Sequence, residues 1–403
     1  MEIDSKKNVA ILIDDYFPDS TKVAAKMMHE LACEILSKGF SVTVFTPKVM
    51  KDKMHITMLD GVEVCQFKLG PIKNCSFVKR GINESLLSHN AKKYTRPVHE
   101  RKSFDLIINY SPSIFWGNFS RYLKKKNSCK SYLILRDFFP QWIIDNGMIK
   151  SNSLLALYFR FFEKLNYNSA DIIGIQSPAN IAFFKTKYGE TYKTSLLYNW
   201  ANNNIPIQDY HLREKFGLQD KVIFFYGGNI GTAQDMGNIL RLAKKLENNS
   251  AAHFLFVGEG DEVPLVLKEI EENKATNITY IKSVPQNEFK SLLKEIDVGL
   301  FTLNKHHKSH NFPGKILGYM VNRIPILGSV NAGNDLQDTI DHYNAGLVTV
   351  NGNDEQFLQD ALSMLENKEL RTAMGKNAEI LYHAKFTVAA AADEILSILK
   401  NEG

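Results

Sequence analysis

Apolar residues recur along this chain in two alternating rhythms. Short β-branched runs of strand length alternate with longer stretches in which apolar positions return every three or four residues. Residues 8–14 (NVAILID) are the first such run. Val23, Met27, Met28, Leu31, Ile35 and Leu36 then follow helical spacing, Gly39 closes the helix, and Ser41–Phe45 (SVTVF) is again strand-like. Strand, helix, glycine and strand make one βαβ unit, the building block of a parallel sheet. The same alternation predicts strands at Val62–Phe67, Asp105–Asn109, Ser131–Leu135, Asp171–Ile175 and Ser195–Leu197. Helices are predicted near residues 113–126, 152–168 and 178–188.

The second half repeats the scheme. Val222–Tyr226, His253–Val257, Ile278–Ile281, Val298–Phe301, Ile324–Leu327 and Leu347–Val350 read as strands. Amphipathic stretches separate them, such as Phe289, Leu292, Leu293 and Ile296. A polar segment, residues 199–209 (NWANNNIPIQD), reads as the linker between the two series. The fold class expected is therefore α/β, with two Rossmann-like, doubly wound lobes. Such sheets bind ligands at the carboxyl ends of their strands, so a crevice between the lobes is the expected site.

Composition narrows the setting. The 403 residues are too many for one comfortable core. There is no apolar run of about 18 residues, so no membrane-spanning helix is expected. The polar start, residues 1–7, is the wrong order for a secretory signal, and a cytoplasmic protein is expected. Cys33, Cys65, Cys75 and Cys129 show no metal or disulfide spacing and read as reduced thiols. Charge is asymmetric. Residues 1–200 carry 29 Lys/Arg against 18 Asp/Glu, the remainder 20 against 26. A basic first half suggests an anionic partner, with solvated lysine the bland alternative.

The strongest local signal is Tyr226-Gly227-Gly228-Asn229-Ile230-Gly231-Thr232, after a strand and before a helix. Glycine lets a ligand approach the backbone, and the N–H groups of the next helix would face a phosphate. The segment is neither a P-loop nor the dinucleotide pattern Gly-x-Gly-x-x-Gly. Val257-Gly258-Glu259-Gly260-Asp261 closes the following strand; Glu259 would bond a ribose hydroxyl or cap the next helix. In His310-Asn311-Phe312-Pro313-Gly314-Lys315, a lysine stands beside a helix N-terminus, which suits a diphosphate. The chain holds no Asp-x-Asp pair for a magnesium–diphosphate. In the first half, Asp14-Asp15-Tyr16-Phe17-Pro18-Asp19-Ser20, Asn109-Tyr110-Ser111-Pro112 and Arg136-Asp137-Phe138-Phe139-Pro140 each follow a strand. Asp14 and Asp15 are adjacent and would point opposite ways, which argues against a catalytic pair.

Taken in order, these motifs resemble family 4 retaining glycosyltransferases of GT-B fold, and within them the WbuB-type L-fucosamine transferases of bacterial surface-polysaccharide synthesis. The resemblance runs nearly end to end. It is carried by DDYFPDSTKVAAKMMHELA from Asp14, LRDFFP from Leu135, SADIIGIQSP from Ser169, NW at Asn199, YGGNIGTAQDM from Tyr226, VGEG from Val257 and FPGKILGYM from Phe312. It implies transfer of an N-acetylated deoxyhexose, N-acetyl-L-fucosamine, from a UDP-sugar to a saccharide on undecaprenyl diphosphate. No metal or other cofactor is implied, and no nucleic-acid partner. The setting implied is O-antigen or capsule synthesis on the cytoplasmic face of the inner membrane.

The resemblance also assigns roles. Gly228, Asn229, Gly231 and Thr232 would approach the donor diphosphate, with Gly258 and Glu259 on the neighbouring strand end. Val284 and Pro285 would lie by the base, and Phe312, Pro313 and Gly314 would carry the catalytic Lys315 to the phosphates. Arg136 and Asp137, also catalytic, would stand by the transferred sugar, and Asp15, Ser20 and Tyr110 on the acceptor side. Residues 1–200 would form the acceptor lobe, with 378–403 crossing back onto it, and 205–377 the donor lobe. The chain departs from the family at three points. His310 and Gly318 stand where two glutamates are usual, Thr232 where a cation is common, and Arg136 where a histidine is common.

Two segments could meet a bilayer. Ile114-Phe115-Trp116 with Arg121–Lys126 mixes aromatics and cations, and Leu154–Phe159 is apolar; core packing is the expectation for both. Three rival functions stand beside the transferase: a UDP-sugar 2-epimerase of the same fold, a non-catalytic nucleotide-sugar-binding module, and a nicotinamide dehydrogenase. The dehydrogenase is weakest, because no Gly-x-Gly-x-x-Gly follows either lobe's first strand.

Overall fold

The structure is a computed structural model that describes residues 6–400 apart from 21, 146, 204–208 and 307–311. The chain divides into two compact units, Met1–Tyr198 with Val388–Gly403, and Asn199–Thr387.

The first unit is built on eight strands: β1 (Asn8–Leu12), β2 (Ser41–Lys48), β3 (Met54–Leu59), β4 (Val62–Lys68), β5 (Leu106–Tyr110), β6 (Lys130–Leu135), β7 (Ile172–Ile175) and β8 (Thr194–Leu196). Their order across the sheet is β3-β4-β2-β1-β5-β6-β7-β8. All neighbours are parallel except β3, which pairs antiparallel with β4. The central strands read as continuous apolar runs because helices cover both faces of the sheet. Val9–Leu12 and Leu106–Ile108 accordingly have no exposed surface. Phe45, Phe67, Trp116 and Phe119 fill one side, each worth about 1.5–3 kcal/mol on burial.

The edge strand β3 was not expected from the sequence. Its hairpin turns on Asp60-Gly61, both at positive φ (49° and 81°), and an Asp-Gly pair is the signal for such a turn. Three helices between β4 and β5, Phe77–Ser85, Leu87–Tyr94 and Arg96–Arg101, were also unexpected. The tail helix Val388–Leu396 packs against Val23–Ser37, with Ala391, Ala392 and Ile395 buried and a Lys38–Asp393 ion pair of 2.8 Å. The return to the first unit therefore begins at Val388. The helix Lys368–Leu381 and residues up to Thr387 stay with the second unit, whereas the crossing had been expected near 378.

The second unit has six parallel strands: β9 (Val222–Asn229), β10 (Ala252–Glu259), β11 (Ile278–Ile281), β12 (Val298–Thr302), β13 (Ile326–Val330) and β14 (Gly346–Val350). They are ordered β11-β10-β9-β12-β13-β14. Numbered within the unit this is 3-2-1-4-5-6, in which the chain leaves the first strand one way and later returns to its other side. The crevice where such a sheet takes a ligand lies outside the carboxyl ends of the two strands at that reversal, here β9 and β12. Of the expected linker, residues 204–208 lie outside the described residues. Ala201 belongs to the second unit, where its N–H donates to the Phe386 carbonyl (3.0 Å) and its carbonyl accepts from the Tyr382 hydroxyl (2.9 Å).

Candidate functional site

In the second unit, β9 and β10 run on as a pair beyond the apolar core. Gly258 lies opposite Gly228 and Glu259 opposite Asn229. The Ile230 N–H donates to the Glu259 carbonyl (2.9 Å) and the Glu262 N–H to the Ile230 carbonyl (3.0 Å). This weave explains one glycine that the sequence reading gave to the ligand. A Cβ on Gly258 would stand 1.8 Å from the Gly228 carbonyl oxygen, so Gly258 is there to let two backbones meet. Gly228 is different: its φ of +106° disfavours any side chain, yet a Cβ would meet nothing within 4 Å. Its face is open to a ligand. Asn229 and Glu259 are exposed beside it, and Asn229 Nδ2 donates to Gln234 Oε1 (2.7 Å).

The helix after this loop does not offer a bare N-terminus. A short 3-10 turn, Thr232–Gln234, intervenes, and Met236–Lys245 starts with its Met236 N–H bonded to Glu262 Oε2 (2.8 Å). Nor is Thr232 free, because its amide and hydroxyl both bond Asp261 (3.2 and 2.8 Å). Those bonds hold the Asp261 carboxyl below its usual range. Gly231 sits between Asp261 and Asn229. Within this loop the open backbone face belongs to Gly228, and the side chain of Thr232 is occupied.

Lys315 is the first residue of a short helix, Lys315–Val321, with Gly314 at its N-cap. That helix is anchored by Tyr319, whose hydroxyl donates to the carbonyls of Leu300 (2.9 Å) and Phe225 (3.2 Å). Anchoring across the ends of β12 and β9 brings Lys315 Nζ to 3.2 Å from the centroid of the Tyr226 ring. The stem is partly exposed, but Nζ is buried and has no hydrogen-bond partner. Desolvation pushes its pKa well below the ordinary lysine value. An ammonium held by a ring face, with no carboxylate partner among the described residues, is a group lacking its counter-charge. Tyr226 is buried and its hydroxyl donates to the Asn229 carbonyl (2.7 Å), so one side chain supports both the lysine and the glycine turn. In the sequence Tyr226 stands only as the first residue of the glycine motif, with nothing local to mark this role.

The other expected donor residues are dispersed. Phe312 is buried against Phe386 at 6.2 Å. Pro313 is half-buried and Gly314 exposed, both leading into the helix of Lys315. Val284 and Pro285 follow β11, with Pro285 capping the helix Gln286–Leu292. His310 and Asn311 lie outside the described residues. Gly318 faces Leu293, 3.3 Å from where its Cβ would be.

In the first unit a pocket of about 200 Å³ opens at the carboxyl ends of β1, β2 and β4, lined by Asp14, Asp15, Asp19, Lys48, Gln66 and Lys73 among others. Lys48 pairs with Asp19 at 2.7 Å, and Lys73 pairs with Asp15. Asp14 lies deepest. It accepts from Trp116 Nε1 (2.6 Å), and burial, with Glu84 nearby, pushes its carboxyl up to about 7. Asp15 lines this pocket; Ser20 and Tyr110 do not, and both are buried. Arg136 and Asp137 also lie outside it. Arg136 follows β6, is half-buried near Tyr110, and has its pKa lowered by desolvation. Asp137 beside it is exposed. Asp14 was passed over because its neighbour made a strand pair implausible; its environment comes from Trp116, 102 residues away.

One group among the described residues has the composition of a metal site: His29, Cys33 and Asp60. Its hydrogen bonds already account for it. His29 Nδ1 meets the Tyr16 hydroxyl (2.8 Å) and Nε2 meets Asp60 Oδ2 (2.9 Å), tying the first helix to the β3–β4 turn. Burial and nearby carboxylates raise the Cys33 thiol pKa. No helix among the described residues is long and apolar enough to cross a membrane.

Residues 210–381, within the second unit, match the family described as Glycosyl transferases group 1. The chain is similar to the probable glycosyltransferase WbjE of Pseudomonas aeruginosa, 27% identical over 221 residues, 54% of this chain and 55% of that one. It is also similar to the alpha-D-kanosaminyltransferase of Streptomyces kanamyceticus, 27% identical over 195 residues, 48% and 49% of the two chains. The chain thus spans about half the length of these curated relatives. Among solved structures, HepE of Anabaena in complex with UDP-glucose matches 98% of this chain and 99% of its own at a TM-score of 0.66 and 14% identity. That likeness shows the fold, the two-lobed α/β arrangement called GT-B.

Proposed function

We propose that this chain is a metal-independent, retaining glycosyltransferase that moves N-acetyl-L-fucosamine, or a closely related N-acetylated deoxyhexose, from UDP to a saccharide on undecaprenyl diphosphate. Bacterial O-antigen or capsule synthesis at the cytoplasmic face of the inner membrane is the setting that the sequence resemblance supports. One observation carries the reading above all: Lys315 Nζ is buried without a hydrogen-bond partner, on the Tyr226 ring, beside an open glycine turn at the sheet's point of reversal. A diphosphate supplies the counter-charge that this lysine lacks. The family match supports transfer, the HepE complex supports UDP as carrier, and the kanosaminyltransferase supports an amino sugar as cargo.

In the proposed reaction the donor diphosphate lies along Gly227–Asn229 and meets Lys315. The acceptor hydroxyl attacks the anomeric carbon on the face that UDP leaves. The new carbon–oxygen bond forms as the bond to the β-phosphate oxygen breaks, and the acceptor proton passes to the departing phosphate. Lys315 and the turn's amides stabilise the charge that grows on UDP. The test is UDP release measured with and without a synthetic prenyl-diphosphate saccharide, in EDTA. Acceptor-dependent release with the linkage retained supports the proposal. Release or epimerised sugar without acceptor would point to the epimerase instead, and UDP binding with no turnover to a binding module.

A further inference from the structure

The helix Leu154–Tyr167 buries one side and leaves the other bare. Ala156, Glu163, Asn166 and Tyr167 are buried, and Phe159 and Phe162 pack on the first unit's core. Leu154, Leu157 and Phe161 recur at helical spacing on the opposite side, 86%, 53% and 59% exposed. The helix Phe77–Ser85 has no fully buried residue and likewise exposes Phe77 (91%), Val78 and Ile82. A hydrogen bond between Ser85 Oγ and the Tyr158 hydroxyl joins the two helices. Phe139 extends the array, touching Phe159 at 4.9 Å and Trp142 at 6.5 Å, and Trp142 is itself exposed. Exposed apolar side chains from three neighbouring segments exceed the scattered ones a solvated surface carries.

Their charged neighbours are sorted by sign. Lys79, Arg80 and Lys164, on these helices, are exposed, as is Lys150 just before the second. Arg160 donates to the side-chain oxygen and the carbonyl of Ser151, at 2.9 and 3.2 Å. The acidic residues of the two helices face inward: Glu84 is tied to Arg80 (2.8 Å), and Glu163 is buried under the hydroxyls of Tyr167 (3.2 Å) and Tyr188 (2.6 Å). Asp145, near Trp142, is exposed and accepts from Gln141 Nε2 (2.6 Å). The face of the two helices is therefore apolar and cationic together. Protein interfaces are depleted of lysine. A bilayer accepts it, because the stem lies along the apolar region while the ammonium reaches the headgroups.

We propose that this face docks the first unit on an anionic phospholipid bilayer, with Phe77, Leu154 and Phe161 entering the headgroup–acyl boundary. The proposal stands on this surface alone and survives a failure of the transferase reading. If both hold, the same surface brings the enzyme to a lipid-carried acceptor.

The test is sedimentation of the full chain with phosphatidylcholine–phosphatidylglycerol vesicles and with phosphatidylcholine alone, followed by tryptophan emission. Of the three tryptophans, Trp116 and Trp200 are buried, so a blue shift on binding reports Trp142. The expected result is salt-sensitive binding to the anionic vesicles only. It should weaken at least about tenfold in Phe77→Asp/Leu154→Asp and in Lys79→Glu/Lys164→Glu, with melting temperature and UDP binding unchanged. Wild-type protein that ignores anionic vesicles would overturn the proposal. So would variants that bind as well as wild type, or a lipid-free self-association that the same variants abolish.

Discussion

Lys315 and Asp14 are opposite cases of a charge placed where water does not reach it well. Lys315 has its pKa pushed down by burial, and Asp14 has its own pushed up to about 7. Removing Lys315 as Lys315→Ala is expected to lower kcat by about 10²–10³, the scale of losing one charge-stabilising donor; steady-state rates at saturating donor measure it. For Asp14 the sign follows from linkage. A carboxyl whose folded pKa lies above its unfolded value favours the fold below about pH 4 and loses that contribution as pH rises through about 7. Asp14→Asn keeps an oxygen for the Trp116 N–H. It should match the wild type at pH 4 and exceed it by about 1–3 kcal/mol at pH 8, measured by urea unfolding at both. Lys315 was legible because Pro-Gly-Lys before an apolar helix is a local signal. The ring beneath it and the indole on Asp14 were not, since both contacts join residues far apart in sequence.

Among the elements, the pairing of β9 and β10 beyond the core has the sharpest consequence. Gly258→Ala forces a Cβ onto the Gly228 carbonyl and is expected to cost about 2–4 kcal/mol, through overpacking and an unfavourable φ. Gly228→Ala meets no neighbour and should cost less stability, while weakening UDP binding more than its stability loss explains. Denaturation curves and UDP titrations of the two variants separate these effects. Thirteen of the fourteen strands have ends within three residues of those predicted from the apolar runs, since strands buried on both faces announce themselves by apolar content. Only β3, with its half-exposed pattern, was missed outright. The helices after β4 escaped for a related reason: Phe77, Val78 and Ile82 face outward in the first, and the next two are short and bury only Leu87, Ala91 and Val98 among their apolar residues. Leu154–Phe159 ran the other way, for core packing was expected and Leu154 proved exposed. Ile114, Phe115 and Trp116, the alternative bilayer segment, are core residues.

At the scale of the whole molecule, the chain's ends belong to one unit, and the Val388–Leu396 helix is part of its stability. Ile395→Ala should lower the first unit's stability by about 2–5 kcal/mol, leaving UDP-dependent stabilisation of the second unit intact; thermal scans with and without UDP read both. The two-unit architecture was legible from repeated alternation, although the return at Val388 was not, because helical spacing runs on through the boundary. The central claim is that the second unit holds a diphosphate with Lys315 and a glycine turn, without a divalent ion. Isothermal titration of UDP in EDTA tests it most directly. The account predicts binding without a divalent ion, and at least about a tenfold loss of affinity in Lys315→Met. Binding that requires added magnesium, or equal affinity in both proteins, would contradict it.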